Sequence, residues 1–287
     1  MITLTEFQLA TPPGLRLDAN AGSVLHGALI ERLDSAAATT LHEPGLRPYS
    51  QHLRVTKEAA VWRIGTLTPP AAQQLVAPLL AAPNAAFYLR DKHAHIAITV
   101  KRQLVACTYR EFVNHFFLSP APARRFVMKF ATPASFKIDN AYQIFPSVFH
   151  IYQSLVNRWN ACASGFVLDR PRLIDDLTAY TRIIDYRLRL NTFSVESIRI
   201  PAFSGEITLS IAGPEQLVRL AAMLLAYGEI SGIGVKTALG MGGVTVWAKP
   251  KGAVGLASLL PQTLSSPDHF DSGDHQSAIG SPASENR

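Results

Sequence analysis

Residues 228–244 read GEISGIGVKTALGMGGV and connect the last predicted helix of the chain to its last predicted strand. Six of these seventeen positions are glycine, against an average share of about 7%. Glycine permits positive φ and lets a backbone approach a ligand closely, and consecutive free N–H groups can bind phosphate. Lys236 and Thr237 lie in the middle of the stretch, which favours a bound anion over a glycine-rich turn without a ligand.

Two common phosphate-binding motifs do not fit this stretch. A dinucleotide fingerprint has the pattern G-x-G-x-x-G between a strand and a helix. Here Gly232 and Gly234 follow a helix and precede a strand, and the next glycine is Gly240. A P-loop needs Gly-Lys-Ser/Thr, but Val235 separates Gly234 from Lys236. A glycine-rich turn with no ligand remains the alternative interpretation of the stretch.

The residues before this stretch predict two copies of one α+β unit. In the first half, the hydrophobic spacing predicts strands at 1–9, 51–56, 61–67, 86–89 and 95–100, with helices beginning near residues 23, 69 and 109. In the second half, it predicts strands at 125–130, 181–190, 194–200, 206–211 and 244–249, with helices beginning near residues 146 and 214. Each half approximates β-α-β-β-α-β, so the fold class is two tandem ferredoxin-like (RRM-like, βαββαβ) domains.

The domain boundaries follow from composition. The segment around residue 120 is proline-rich, and beyond residue 252 the chain is rich in Ser, Pro, Asp and Gly. We therefore predict an N-terminal domain at 1–120, a C-terminal domain at 121–252 and a largely disordered tail at 253–287.

The charge of the chain favours an anionic partner. Lys and Arg number 27 against 21 Asp and Glu, a formal charge of +6. From residue 251 onward two basic residues stand against four acidic ones, so the first 250 residues hold 25 basic against 17 acidic residues. A basic body of this kind is typical of proteins that bind nucleic acid or an anionic membrane surface.

Several other protein classes are excluded by the sequence. The N-terminus, MITLTEFQLA, lacks the basic region of a signal peptide, and the apolar helix at 217–227 is too short to span a bilayer. Cys107 and Cys162 form no metal-spaced set, and no HExxH or GxSxG motif is present. His93 and His95 alternate on a strand, and with no carboxylate cluster nearby they are interpreted as surface residues and not as a metal pair. We expect a cytoplasmic protein with no membrane segment, no metal and no cofactor.

Four motifs follow one another along the chain. They are Leu25-His26-Gly27-Ala28-Leu29, Leu41-His42-Glu43 followed by Leu46-Arg47-Pro48-Tyr49-Ser50, Thr132-Pro133-Ala134-Ser135-Phe136 with Trp159-Asn160 further on, and the glycines at 232, 234, 240 and 242. This ordered set resembles the CRISPR repeat-processing endoribonucleases of the repeat-associated RNA-binding (RAMP) superfamily. The resemblance covers roughly residues 20–250, and the ordered set is more specific than the glycines alone.

The resemblance implies metal-independent cleavage of CRISPR precursor RNA within its repeats, by attack of a 2′-hydroxyl on the adjacent phosphate. The products are a 2′,3′-cyclic phosphate and a 5′-hydroxyl end, and the outcome is mature guide RNA. The partner is CRISPR repeat RNA; relatives also join effector complexes or form homodimers. Two alternatives stay open: a non-catalytic RNA-binding subunit that holds the processed repeat end in an effector complex, and a ferredoxin-like protein that binds a small phosphorylated ligand.

The resemblance also assigns residue roles. His42 corresponds to the catalytic histidine, His26 lies where some relatives place a second active-site residue, and Arg47 lies near a catalytic lysine and is expected to stabilise the phosphate. Histidine suits proton transfer near neutrality, and arginine suits a phosphate, but which histidine is acid and which is base is left open. Some relatives have a tyrosine at the end of the first helix, where this chain has Ile30 and Glu31.

We therefore expect a two-histidine arrangement, with Tyr49 either orienting RNA or packing. The residues predicted to bind RNA are Gly232, Gly234, Lys236, Thr237, Gly240, Gly242, Arg124 and Arg125.

Overall fold

The computed structural model describes residues 1–33, 45–57, 59–119, 122–195 and 198–249. Three predictions fall outside these ranges. They concern His42, the domain boundary at 120–121 and the tail at 253–287, and each stays a prediction. Within the described ranges, no helix has both the length and the apolar composition needed to cross a bilayer.

The first half of the chain forms a five-stranded antiparallel sheet together with helices. Its elements are β1 (Ile2–Ala10), α1 (Ala21–Ile30), β2 (Tyr49–Val55), β3 (Ala60–Thr66), α2 (three consecutive helical segments, Pro69–Ala71, Ala72–Val76 and Ala77–Ala81), β4 (Ala86–Leu89), β5 (Ala94–Cys107) and α3 (Tyr109–Leu118). The strand order is β2-β3-β1-β5-β4. Without β4 this is the ferredoxin-like order, and β4 extends the sheet at one edge.

Helix α2 contains a wide π-helical turn at Ala72–Val76, immediately before Pro78. Proline has no N–H to donate to the carbonyl four residues earlier, and its ring crowds that carbonyl. The chain accommodates Pro78 by widening the preceding turn, so the helix continues to Ala81.

The second half forms a four-stranded antiparallel sheet. Its elements are β6 (Arg125–Ala134), a small hairpin of β7 (Phe136–Ile138) and β8 (Ala141–Gln143), α4 (Val148–Cys162), α5 (Leu173–Tyr180), β9 (Thr181–Val195), β10 (Ile198–Ile211), α6 (Glu215–Ser231) and β11 (Val244–Ala248). The order β11-β6-β10-β9 is the ferredoxin-like order without additions. The predicted fold of two tandem ferredoxin-like units is confirmed.

One prediction in this half is wrong. Three strands were expected over residues 181–211, whereas the structure has two long strands, β9 and β10, which pair along their length with one register shift between Thr208 and Leu209. Pro201 lies inside β10. It is tolerated because β6 pairs with β10 only from Phe203 to Ser210, so at Pro201 the strand has a neighbour on one side only.

The two sheets share one hydrophobic core. Ile2 and Leu4 of β1 pack in the same cluster as Trp159 of α4 and Leu224 of α6. The end of α6 also contacts the first sheet, because the Ser50 hydroxyl donates to the Ile230 carbonyl oxygen at 2.7 Å. This contact fixes the start of the glycine-rich stretch against the first half of the protein.

Candidate active site

A cleft of about 520 Å³ opens between α1, the start of β2, the turn after β4 and the glycine-rich stretch. Residues from both halves of the chain line it. They are Ser23, Val24, His26, Gly27, Ala28, Glu31, Arg47, Tyr88, Arg90, Asp91, Val195 and Leu239. Two of the three predicted catalytic residues, His26 and Arg47, are therefore in one cleft.

His26 is held by a hydrogen bond that the sequence analysis did not predict. Its Nδ1 lies 2.7 Å from the Tyr49 hydroxyl oxygen, and the two rings are nearly parallel, with an interplanar angle of 14°. Leu25 and Leu29 on either side of His26 are buried in the core of the first half, which fixes the helix face. The imidazole therefore has a defined position at the cleft wall.

Tyr49 is the fixed partner in this pair. Its ring is fully buried at the first position of β2, in the core that α1 covers. Burial raises the pKa of the Tyr49 phenol, and the positive charge of Arg47 partly opposes this shift. The phenol therefore keeps its proton near neutral pH, so Tyr49 can donate to a histidine lone pair or accept from an imidazole N–H.

The glycine-rich stretch is a tightly packed loop. Gly232, Gly234, Gly240 and Gly242 all have positive φ. At Gly240, a Cβ would lie 2.8 Å from the Cα of Gly22 in α1. Two backbones therefore touch here without side chains between them, and the glycines join the loop to the helix that holds His26.

Most backbone N–H groups of this loop are already used within the protein. Those of residues 232–235 and 239–243 donate to protein oxygens. Gly234 is held on both sides by α4, because its N–H donates to Ser154 Oγ at 2.9 Å and its carbonyl accepts from Arg158 Nη2 at 3.2 Å. The loop is thus a rigid support, and a ligand would meet mainly its side chains.

The two polar residues of the loop differ in exposure. Thr237 is buried, and its methyl group lies against Gly232. Lys236 is half-buried and adopts a left-handed backbone conformation, with φ of 53°. Lys236 is therefore the residue of this pair that retains access to solvent.

Arg124 and Arg125 are not near the loop. Both are exposed at the start of β6, and Arg124 donates to the carbonyl oxygens of Ile211 and Gly213. The loop contacts the other end of β6, where the Val235 N–H donates to the Ser135 carbonyl. At about 3.3 Å per residue, the length of β6 separates the two places by roughly 30 Å.

A basic surface on β9 and β10 was missed at the sequence level. Arg182, Arg187, Arg189 and Arg199 are all exposed there. Tyr186, 59% exposed, lies on the same strand but on the opposite face from Arg187, because successive strand side chains alternate, and its ring meets Phe145 edge-on at 5.7 Å. The alternating segment Tyr186-Arg187-Leu188-Arg189-Leu190 was a usable signal, since arginines and aromatics on one exposed strand are typical of nucleic-acid-binding surfaces.

No group of three or more His, Cys, Asp or Glu residues that could hold a metal ion occurs among the described residues. His93 and His95, the pair considered for metal binding, instead lie beside Tyr88. The Tyr88 and His95 rings are 4.9 Å apart, and the Tyr88 hydroxyl is 3.4 Å from His93 Nδ1.

Comparison with known proteins gives a consistent result. The model of the family "CRISPR-associated endoribonuclease Cas6" matches residues 128–244. The chain is 33% identical over 229 residues to the Cas6 endoribonuclease of Mycobacterium tuberculosis, covering 79% of this chain and 72% of the relative. It is 32% identical over 219 residues to the Streptococcus thermophilus protein, covering 76% and 88%.

Solved structures agree in fold. A Cas6 product complex aligns with a TM-score of 0.72 at 19% identity, covering 86% of this chain and 99% of that one. Cas6 of Thermus thermophilus aligns with a TM-score of 0.63 at 20% identity, covering 86% and 98%.

Proposed function

Since the chain belongs to the Cas6 family of CRISPR-associated endoribonucleases, we propose that it cleaves CRISPR precursor RNA within the repeats and so produces mature guide RNA. The chemistry is metal-independent. A 2′-hydroxyl loses its proton and attacks the adjacent phosphorus, the bond to the 5′-oxygen breaks, and that oxygen takes up a proton. The products are a 2′,3′-cyclic phosphate and a 5′-hydroxyl.

The observation that carries this proposal is the 2.7 Å contact between His26 Nδ1 and the Tyr49 hydroxyl in the cleft that also holds Arg47. When Nδ1 carries the ring proton, it donates to the Tyr49 oxygen, and Nε2 has a lone pair that can accept the 2′-hydroxyl proton. When the ring is doubly protonated, Nε2 can donate to the leaving 5′-oxygen. Tyr49 thus orients His26 for either proton transfer.

Arg47 supplies positive charge to the same cleft. A guanidinium can bind two phosphate oxygens at once, and it stabilises the extra negative charge of the phosphorane. Its effect on the Tyr49 pKa indicates that its charge acts close to the His26–Tyr49 pair. We assign Arg47 to the phosphate, as the resemblance implied.

Two further assignments complete the site. Relatives with a catalytic tyrosine carry it on the first helix, where this chain has Ile30, and we propose that Tyr49 of β2 contributes the hydroxyl instead. His42 lies outside the described residues, and its role as the second proton-transfer group is proposed from the Leu-His-Glu motif alone.

RNA binding is proposed for two surfaces. On the glycine loop, Lys236 is a half-buried cation with access to solvent, while the glycines hold the loop in place. Further out, the exposed arginines of β9 and β10 lead towards the cleft, since Val195 at the end of β9 is part of its wall. Arg124 and Arg125 lie at the far end of this sheet.

Three further predictions concern location and partners. They are action in the cytoplasm, transfer to effector-complex subunits and pairing with a second copy of the chain.

The test is incubation of end-labelled repeat RNA with the purified protein in EDTA. We expect one cut per repeat, a 2′,3′-cyclic phosphate at the new end, and no cut when the nucleotide before the cleaved bond is 2′-deoxy. Tight binding without cleavage would favour the non-catalytic RNA-binding subunit. Absence of both binding and cleavage would contradict the proposal altogether.

A further inference from the structure

Tyr88 forms an aromatic wall in the cleft that none of the proposed catalytic steps uses. It lies on the edge strand β4, opposite His95 of β5, and its side chain is 42% exposed although it is a large ring. His95 packs against the ring at a centroid distance of 4.9 Å, and His93 Nδ1 lies 3.4 Å from the Tyr88 hydroxyl. The Tyr88 side chain is thus contacted by His95 at its ring and by His93 at its hydroxyl.

Two contacts hold this wall in a fixed position relative to α1. Arg90 Nε lies 3.2 Å from Glu31 Oε1, at the end of α1, and Arg32 Nη1 donates to the Ala86 carbonyl oxygen at 3.2 Å. Together they fasten both ends of β4 to the helix that carries His26. The wall is therefore connected at both ends of β4 to the helix that carries the proposed catalytic histidine.

The charges at this end of the cleft favour a neutral group over a phosphate. Arg90 is neutralised by Glu31, and Asp91 adds a negative charge beside them. Arg47 is a second cation among the described residues that line the cleft, and it is assigned to the reacting phosphate. A phosphate bound at Arg47 would place the base of a neighbouring nucleotide within reach of the wall.

We propose that Tyr88 is the stacking platform for the nucleobase next to the cleaved phosphate. Every base has a π face, so a tyrosine ring with a solvent-facing side binds an unpaired base without needing a particular sequence. The proposal rests on the proposed function, because it assumes that a repeat phosphate occupies the cleft. It also gives a role to the His93 and His95 pair, as supports of the ring.

The experiment measures the Kd of an uncleavable repeat RNA, made 2′-deoxy at the mapped cut. It compares wild type, Tyr88→Ala and Tyr88→Phe, each with intact RNA and with an abasic nucleotide at each position next to the cut. We expect Tyr88→Ala to weaken binding of intact RNA by about 5- to 150-fold, the range that corresponds to stacking of one base. Tyr88→Phe keeps the ring and should retain most of the affinity.

The decisive result is non-additivity. At one position next to the cut, removing the base should weaken binding to wild type as much as Tyr88→Ala weakens binding of intact RNA. Tyr88→Ala should then bind this abasic RNA no more weakly than it binds intact RNA. Tyr180→Ala is the matched control, because Tyr180 is 43% exposed but lies at the other end of β9, about 45 Å of strand from the cleft residue Val195.

Two outcomes would overturn the proposal: Tyr88→Ala binding intact RNA as tightly as wild type, or abasic penalties that persist in full in Tyr88→Ala at every position. If wild type neither binds nor cuts repeat RNA, the proposed function fails and the stacking site fails with it. If wild type binds and cuts repeat RNA and the Tyr88 variants bind it as tightly as wild type, the stacking site fails but the proposed function stands.

Discussion

At the scale of single residues, Tyr49 packs in the core, which is one of the two alternatives predicted for it, and its hydroxyl also contacts His26, which was not predicted. A buried ring is a firm support because its rotamer is fixed by its neighbours. His26 was predicted from its motif, but its partner was not, since the two are 23 positions apart in sequence and meet only when α1 packs beside β2.

Removal of the Tyr49 hydroxyl is expected to slow cleavage. Tyr49→Phe keeps the packed ring but removes the hydrogen bond between the Tyr49 hydroxyl and His26 Nδ1, so the single-turnover rate should fall about 10- to 100-fold, the effect of losing a hydrogen bond of ~1.5–3 kcal/mol to a group that becomes charged. The measurement is the cleavage rate with enzyme in excess, together with urea unfolding.

Tyr152→Phe is the matched control for this change. Tyr152 is equally buried, and its hydroxyl lies 3.1 Å from Thr181 Oγ1 in the other half of the protein. Both variants should lose about 1 kcal/mol of stability, but only Tyr49→Phe should lose rate. Equal rates for the two variants would show that the His26–Tyr49 contact has no part in catalysis.

At the scale of elements, the glycine loop acts mainly as a joint between α1 and the second half of the chain. The sequence predicted that this stretch connects the last helix to the last strand, and the structure agrees. The use of the N–H groups of residues 234, 235, 242 and 243 was not predictable, since their acceptors lie about 80 to 110 positions away, Ser154 and Thr132 among them.

A side chain at Gly240 is expected to damage this joint. Gly240→Ala places a Cβ 2.8 Å from the Gly22 Cα at a φ of +108°, so α1 and the loop must separate. We expect a loss of ~3 kcal/mol or more in the free energy of unfolding, as for other strained or overpacked sites, and weaker cleavage. Urea unfolding and single-turnover cleavage measure the two effects.

Gly165→Ala is the control that separates the cost of a left-handed backbone from the cost of a steric clash. Gly165 also has positive φ, at +83°, but no atom lies within 4 Å of a Cβ at that position. Its cost should be only the ~1–2 kcal/mol of a left-handed alanine, with cleavage unchanged. Similar losses for both variants would mean that the contact between Gly240 and Gly22 does not hold the loop to α1.

The strand pair β9–β10 makes a prediction about RNA affinity. Replacing Arg187 and Arg189 by alanine should raise the Kd for repeat RNA and lower the slope of log Kd against log salt by about 0.7–0.9 per lost phosphate contact. The same double change at Arg124 and Arg125, at the far end of the sheet, is expected to have the smaller effect. A larger effect at Arg124 and Arg125 than at Arg187 and Arg189 would instead support the prediction from sequence that Arg124 and Arg125 bind RNA.

At the scale of the whole molecule, a buried histidine lies where the two halves of the chain contact each other. His52 of β2 is 4% exposed, and its ring packs against the backbone of Gly243, beside the second sheet. Burial lowers the pKa of His52 to about 3, and the nearby charges of Arg63 and Arg54 act in the same direction. The ring is therefore neutral in the folded protein at every ordinary pH.

This histidine should make the fold sensitive to acid. The unfolded chain binds a proton at His52 below an ordinary pKa of about 6.5 whereas the folded chain does not, so stability rises with pH between about 3 and 6.5 and is lost as pH falls through that window. Between pH 7 and pH 5 the wild type should lose about 2 kcal/mol more than His52→Gln. Urea unfolding at both pH values checks this, and equal losses would contradict it.

The overall architecture was more predictable than the site. Helix and strand periodicities identify elements locally, so the α+β class and the repeated unit follow from the sequence. The strand at β4 was predicted, but its pairing at the edge of the first sheet depends on which strands become neighbours. The same holds for the two long strands β9 and β10 in place of three predicted ones, as the position of Pro201 illustrates. The cleft depends on the packing of both halves, which no local pattern records.

The most direct test of the account is the single-turnover cleavage rate of His26→Ala on repeat RNA in EDTA, with enzyme above its Kd. If His26 transfers a proton, as we propose, the rate should fall about 10²- to 10⁴-fold, while the Kd for uncleavable repeat RNA stays within about threefold of wild type, since proton transfer contributes to the transition state and not to binding. A His26→Ala rate within about threefold of wild type would contradict the assignment of this cleft as the active site.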